Sequence, residues 1–136
     1  MCYFLYGAIN QGVNDSDLLS ATKNFSFRFN IGDIRDVNLS VNNCTNDFRI
    51  TTNHCDCKTA IGSNNPDEME IKELSSLLFS FKDVRGIKYA LISKNWWQKR
   101  NKRQETVHID DIDVPTFLAG IQDNCLYKIE LYKKYY

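Results

Sequence analysis

Residues 51–62 (Thr-Thr-Asn-His-Cys-Asp-Cys-Lys-Thr-Ala-Ile-Gly) gather an imidazole, a carboxylate and two thiols at four consecutive positions, His54, Cys55, Asp56 and Cys57. Thiolates and imidazoles are the common donors to zinc, whose bonds of about 2.3 Å to sulfur put two sulfurs of a tetrahedron roughly 3.8 Å apart. On an extended strand the Cα atoms of Cys55 and Cys57 would be roughly 6.6 Å apart, so the side chains must lean together or the chain must turn at Asp56. The flanking Thr, Asn, Asp and Gly residues make such a turn easy. A structural site needs four donors, and the expected set is Cys55, Cys57, Cys44 and His54, with Cys2, Cys125 and His108 as further candidates. No second cysteine pair stands at a set spacing, so the stretch also fits two partly buried thiols in an irregular loop. The same thiols could serve a redox or nucleophilic role, with His54 and Lys58 favouring the thiolate, although a 55–57 disulfide would close a strained ring.

A second stretch, residues 94–103, holds Lys94, Trp96, Trp97, Lys99, Arg100, Lys102 and Arg103 with no acid among them. Indoles stack on unpaired bases while Lys and Arg neutralise phosphates, so this pattern suits a single-stranded nucleic acid or a phosphate-bearing ligand. The same residues fit the solvated tip of a hairpin whose two indoles close the end of the core. A third pair, His108 and Asp110, falls on one face of a strand, where a carboxylate-oriented imidazole would be an acid/base group or a ligand. Asp111 and Asp113 beyond it read as helix-start residues, and Asp123 and Asn124 as turn chemistry.

The elements that must position these groups fit one domain spanning all 136 residues, long enough for one hydrophobic core. Seventeen basic and seventeen acidic residues cancel, which removes bulk charge as a reason to bind DNA or an anionic membrane. No apolar run approaches the roughly twenty residues of a membrane-spanning helix. Five cysteines without a secretory leader point to the cytoplasm and to thiols rather than a disulfide framework.

Along the chain, residues 2–9 are apolar throughout and predict a central strand buried on both faces. A two-turn helix follows the Asn14-Asp15-Ser16 cap, and Phe25, Phe27, Phe29 and Ile31 alternate with polar neighbours as a half-exposed strand does. Residues 32–43 read as loop and 47–51 as a short strand. Asn65-Pro66-Asp67-Glu68 predicts a helix start, followed by helical spacing from Met69 to Phe81. Strands are expected over 86–93 and 105–110, a short helix after Asp113, and a closing strand over 125–135. This order predicts an α+β domain of two layers, a mixed sheet of about six strands with two or three helices on one face, and ferredoxin-like element order in its first part. Tyr3-Phe4-Leu5-Tyr6-Gly7 resembles the first strand and glycine loop of γ-glutamylcyclotransferase-like proteins. In that family a serine and an asparagine that bind substrate follow the glycine. Ala8, Ile9 and Asn10 follow it here, so no activity is carried over from the resemblance.

Overall fold

The apolar run near the chain's start becomes β1 (Tyr3–Asn10), which, among the described residues, is paired on both sides in a five-stranded sheet. The computed structural model describes residues 3–10, 12–22, 44–49, 57, 59–96 and 101–133. β2 (Cys44–Arg49) and β3 (Tyr89–Trp96) flank β1 in antiparallel fashion, and β5 (Cys125–Glu130) pairs antiparallel with β3. β4 (Arg103–His108) lies beyond β5 and runs parallel to it. Parallel neighbours need a crossover, and residues 109–124 provide it through a 3₁₀ turn (Ile109–Asp111) and the helix α3 (Val114–Ala119).

α1 (Asp15–Thr22), α2 (Met69–Phe81) and α3 lie on one face. Leu18, Leu74, Leu77 and Leu118 from the helices join Leu5, Ile9, Ile92 and Ile129 from the strands in one buried cluster. Ala8, Leu91 and Leu126 form a smaller cluster with Tyr6 and Tyr89. Because successive strand residues point to opposite faces, this second cluster belongs to the other side of the sheet. The architecture is therefore α+β, and Leu5, Ala8 and Ile9 are fully buried as a strand covered on both faces requires.

Local chemistry explains the element boundaries. Asn14 caps α1, its Oδ1 accepting from the backbone N–H of Ser16 at 2.8 Å and of Asp17 at 3.3 Å. Asn65 and Glu68 do engage each other, Nδ2 to Oε1 at 3.0 Å, but within a separate turn, so that α2 starts one turn later than the cap pattern implies. β3 begins at Tyr89 rather than 86 because Asn10 captures the approach to it. The Asn10 amide donates to the Gly86 carbonyl at 2.7 Å and accepts from the N–H of Lys88 at 2.6 Å and of Tyr89 at 3.2 Å. Gly86, at φ +90°, supplies the left-handed backbone this turn needs.

Two sequence expectations change. The expected strand over residues 24–31 lies outside the described residues, among which five strands are seen. The described strands do not draw a ferredoxin-like order, since both neighbours of β1 are antiparallel and the one parallel pair among them is β4 with β5. Residues 94–103 do not join two neighbouring strands as a hairpin would, because β5 separates β3 from β4. The Asn124 N–H donates to the Lys94 carbonyl at 2.9 Å, and the Lys102 N–H donates to the Asn124 carbonyl at 2.7 Å.

Replacing the buried Asn10 by alanine strands two backbone N–H groups and one carbonyl. Asn10→Ala is therefore expected to lower stability by about 2–3 kcal/mol. The check is a lower urea midpoint at unchanged slope; a midpoint within error of the parent would show that this clamp contributes nothing.

Candidate functional site

Tyr3 is where the first two chemically dense stretches meet. Its backbone N–H donates to the Cys57 sulfur at 3.4 Å, and its ring centroid lies 5.4 Å from the Lys94 ammonium. Cys57 is exposed, whereas Lys94, opposite Leu5 in the sheet, retains 9 % of its accessible surface. The burial follows from register: every second residue of β3 faces the helices, and Lys94 continues the row of Ala90 and Ile92.

An ammonium has three donors and cannot accept. Among the described residues, one of the three goes to the Ile61 carbonyl at 3.1 Å. Asp123 Oδ1 stands 3.9 Å away, within ion-pair range but beyond a hydrogen bond. That carboxylate is far more exposed than its partner, with 42 % of its side-chain surface accessible against 11 % for Lys94. Burying a cation costs several kcal/mol, and a long contact to a hydrated acid offsets little of it. Lys94 is thus a charge held at the end of the core by one hydrogen bond, the face of the Tyr3 ring and a long ion pair.

The turn bearing Ile61 is seated on the end of α3, with the Gly62 N–H donating to Leu118 O at 2.9 Å and the Asn64 N–H to Ala119 O at 2.7 Å. Gly62 has φ +82°, and a Cβ there would lie 3.1 Å from Ile121 O and 3.4 Å from Lys94 Nζ. Neither the conformation nor the space suits another residue.

Across β5 from Lys94 stands Arg103, paired in register with the buried Cys125. Lys94 and Arg103 lie on either side of β5, so their Cα atoms are roughly 10 Å apart, two strand spacings. The Arg103 guanidinium bonds Gln122 Oε1 at 2.5 Å and Glu105 Oε1 at 3.2 Å. Its hydrogen bond to the Cys125 thiol, followed by the charge of Glu105, pushes its pKa further above an already high value, so it remains a cation throughout. Beside it the Tyr127 hydroxyl accepts the Gln122 N–H at 2.7 Å, and the Tyr127 ring packs edge-on against Phe117 at 5.3 Å. Burial pushes the Tyr127 phenol above its ordinary value, opposed in part by that N–H donor.

The remaining candidates are dispersed. Lys102 is exposed beside Arg103. Trp96 ends β3 opposite Tyr3 in register, and Trp97, Lys99 and Arg100 lie outside the described residues. Of the expected zinc donors, His54 and Cys55 also lie outside them, while Cys44 and Cys57 are not brought together. Cys44 pairs with Asn10 and Cys57 touches Tyr3, at opposite ends of β1. Seven residues of strand put roughly 24 Å between those ends, far beyond what one tetrahedral ion can span. Among the described residues no three His, Cys, Asp or Glu side chains are grouped to hold a metal.

His108 sits at the other end of β4. Its Nδ1 accepts the Asp110 N–H at 3.1 Å, capping the 3₁₀ turn, and its Nε2 lies 2.7 Å from the Tyr132 carbonyl. An Nδ1 that accepts leaves the proton on Nε2, which donates to that carbonyl, so both nitrogens serve the backbone. The Asp110 carboxylate is 3.6 Å from Nδ1 and takes a 2.9 Å ion pair from Lys82.

Comparison with protein-family models, with curated protein sequences and with solved structures returned no match. The site therefore rests on its own geometry. Sequence reasoning singled out Lys94, Arg103 and Cys57 but missed Tyr3 and took Asp123 for an ordinary turn residue. Asp123 sits in the tight turn that Asn124, at φ +58°, makes before β5, and no sequence pattern places that turn over residue 94.

Two outcomes follow. Lys94→Met, which keeps most of the apolar stem and removes the charge, is expected to leave stability unchanged or raise it by about 1–2 kcal/mol in urea melts. A loss above that size would mean that the ammonium is well paired. For Tyr127 the folded pKa exceeds the unfolded one, so its contribution to stability is complete below about pH 10 and is lost as pH rises through the folded value. The parent should then lose more stability than Tyr127→Phe between neutral and strongly alkaline pH, and equal losses would refute the assignment.

Proposed function

We propose that this protein binds a small phosphate-bearing ligand at the end of the sheet where β3 finishes and β4 begins. The observation that carries the reading is the Lys94 ammonium, nine-tenths buried, with one peptide carbonyl in hydrogen-bond range and an acid at 3.9 Å. A phosphate oxygen would give that cation a charge-assisted bond, and Arg103 supplies a planar donor pair from the far side of β5. Lys102, Lys99 and Arg100 would add longer-range attraction, and Trp96 or Trp97 a stacking surface for an aromatic portion of the ligand.

The burial of Lys94 favours a single inserted phosphate over a nucleic-acid backbone, which is tracked by exposed cations along a groove. The zero net charge favours it as well. Zinc is the second reading, supported by the Tyr3 N–H directed at the Cys57 sulfur, the kind of outer hydrogen bond a thiolate ligand takes. It would use Cys55, Cys57 and His54 with a donor other than Cys44. Tag-free protein carrying less than about a tenth of an equivalent of zinc would remove it.

Both tryptophans of the chain are residues 96 and 97, two and three positions after Lys94 in the sequence, so intrinsic fluorescence is the readout. Titration with inorganic pyrophosphate at low salt should change it saturably, and Lys94→Met or Arg103→Met should each weaken binding by about tenfold or more. No saturable change in fluorescence or calorimetry up to millimolar pyrophosphate would overturn the reading. Tighter binding of a single-stranded oligonucleotide, with a steep salt dependence, would replace it with the nucleic-acid one.

A further inference from the structure

We infer that Asp123 is an internal competitor for the anion position facing Lys94, so that the phosphate ligand proposed above binds by displacing this carboxylate. The inference rests on that reading and adds how the site is occupied without ligand and what sets its affinity.

The Lys94–Asp123 pair is asymmetric. The ammonium cannot reach water without leaving the core, whereas the carboxylate is already almost half in solvent and gives up no hydrogen bond to Lys94 at 3.9 Å. Rotation of the Asp123 side chain therefore exposes the cation at little cost. The backbone carrying it is pinned on both sides: the Gln122 N–H binds the Tyr127 hydroxyl at 2.7 Å, and the Asn124 N–H binds the Lys94 carbonyl at 2.9 Å. The acid can thus swing away while its turn stays in place.

Charge sets the expected direction. Glu105, in the neighbouring strand, is instead 3.2 Å from Arg103. Among the described residues Asp123 is the acid paired with Lys94, and it both occupies the cation and repels an incoming phosphate through a partly dry medium. Its neutral amide keeps the shape and removes both effects. A carboxylate that instead helped to position the ligand would give the opposite sign.

The experiment is calorimetric titration of the full chain with inorganic pyrophosphate in EDTA, so that no metal bridges acid and ligand. Asp123→Asn should bind roughly five- to tenfold tighter than the parent, and Asp123→Ser should move in the same direction if the amide variant folds poorly. Asp83→Asn, an equal charge change in the turn after α2, should stay within about twofold, which separates a local effect from net charge. Lys94→Met should abolish the gain when combined with Asp123→Asn. Binding by the parent that is unchanged or weakened in both Asp123 variants, or an equal gain in Asp83→Asn, overturns the inference and leaves the phosphate site standing. No binding by the parent or any variant overturns both.

Discussion

A positive charge held inside the end of a hydrophobic core is the constraint around which this structure is arranged. Lys94 sits in a strand row that otherwise carries Ala90 and Ile92, so the sheet geometry that buries those apolar groups also withdraws the ammonium from water. Tyr3, the turn bearing Ile61 and the turn before β5 all converge on it. None of them satisfies it fully. Replacing a buried, partly paired ion by an apolar residue of similar size is commonly neutral or stabilising, so the core itself does not require a charge at this position.

The parts of the fold that were legible in the sequence are those whose determinants are local. Period-3.6 spacing from Met69 to Phe81 located α2, the Asn14 oxygen located the start of α1, and the apolar run over residues 2–9 announced a strand buried on both faces. Boundaries failed where a distant side chain took the backbone's hydrogen bonds. The start of β3 moved by three residues because Asn10, more than seventy positions earlier, claims the N–H groups of Lys88 and Tyr89. Strand order was illegible for the same reason. Nothing local indicates that β5 inserts between β3 and β4, and the hairpin expectation for residues 94–103 failed on that point.

The site was legible as residue types but not as an arrangement. Composition alone drew attention to the His54–Cys57 stretch and to the basic run, and Tyr3 touches one described residue of each. The grouping of Cys44 with Cys57 did not survive, because sequence proximity says nothing about which end of β1 a residue reaches. His108 and Asp110 are adjacent as expected, yet both imidazole nitrogens serve main-chain groups around a turn. Chemical density along a chain identifies candidates, and only register decides which of them share a place.

The glycine at position 62 gives this corner a mechanical property. The Ile121 carbonyl and the lysine ammonium both stand where its missing side chain would project, so the bare α-carbon leaves the room that lets the cation lie this deep. A single added methyl group would work as a wedge, levering the ammonium outward and unseating the turn from α3 together. Cation depth and helix docking are therefore one adjustable dimension, governed by the smallest side chain available.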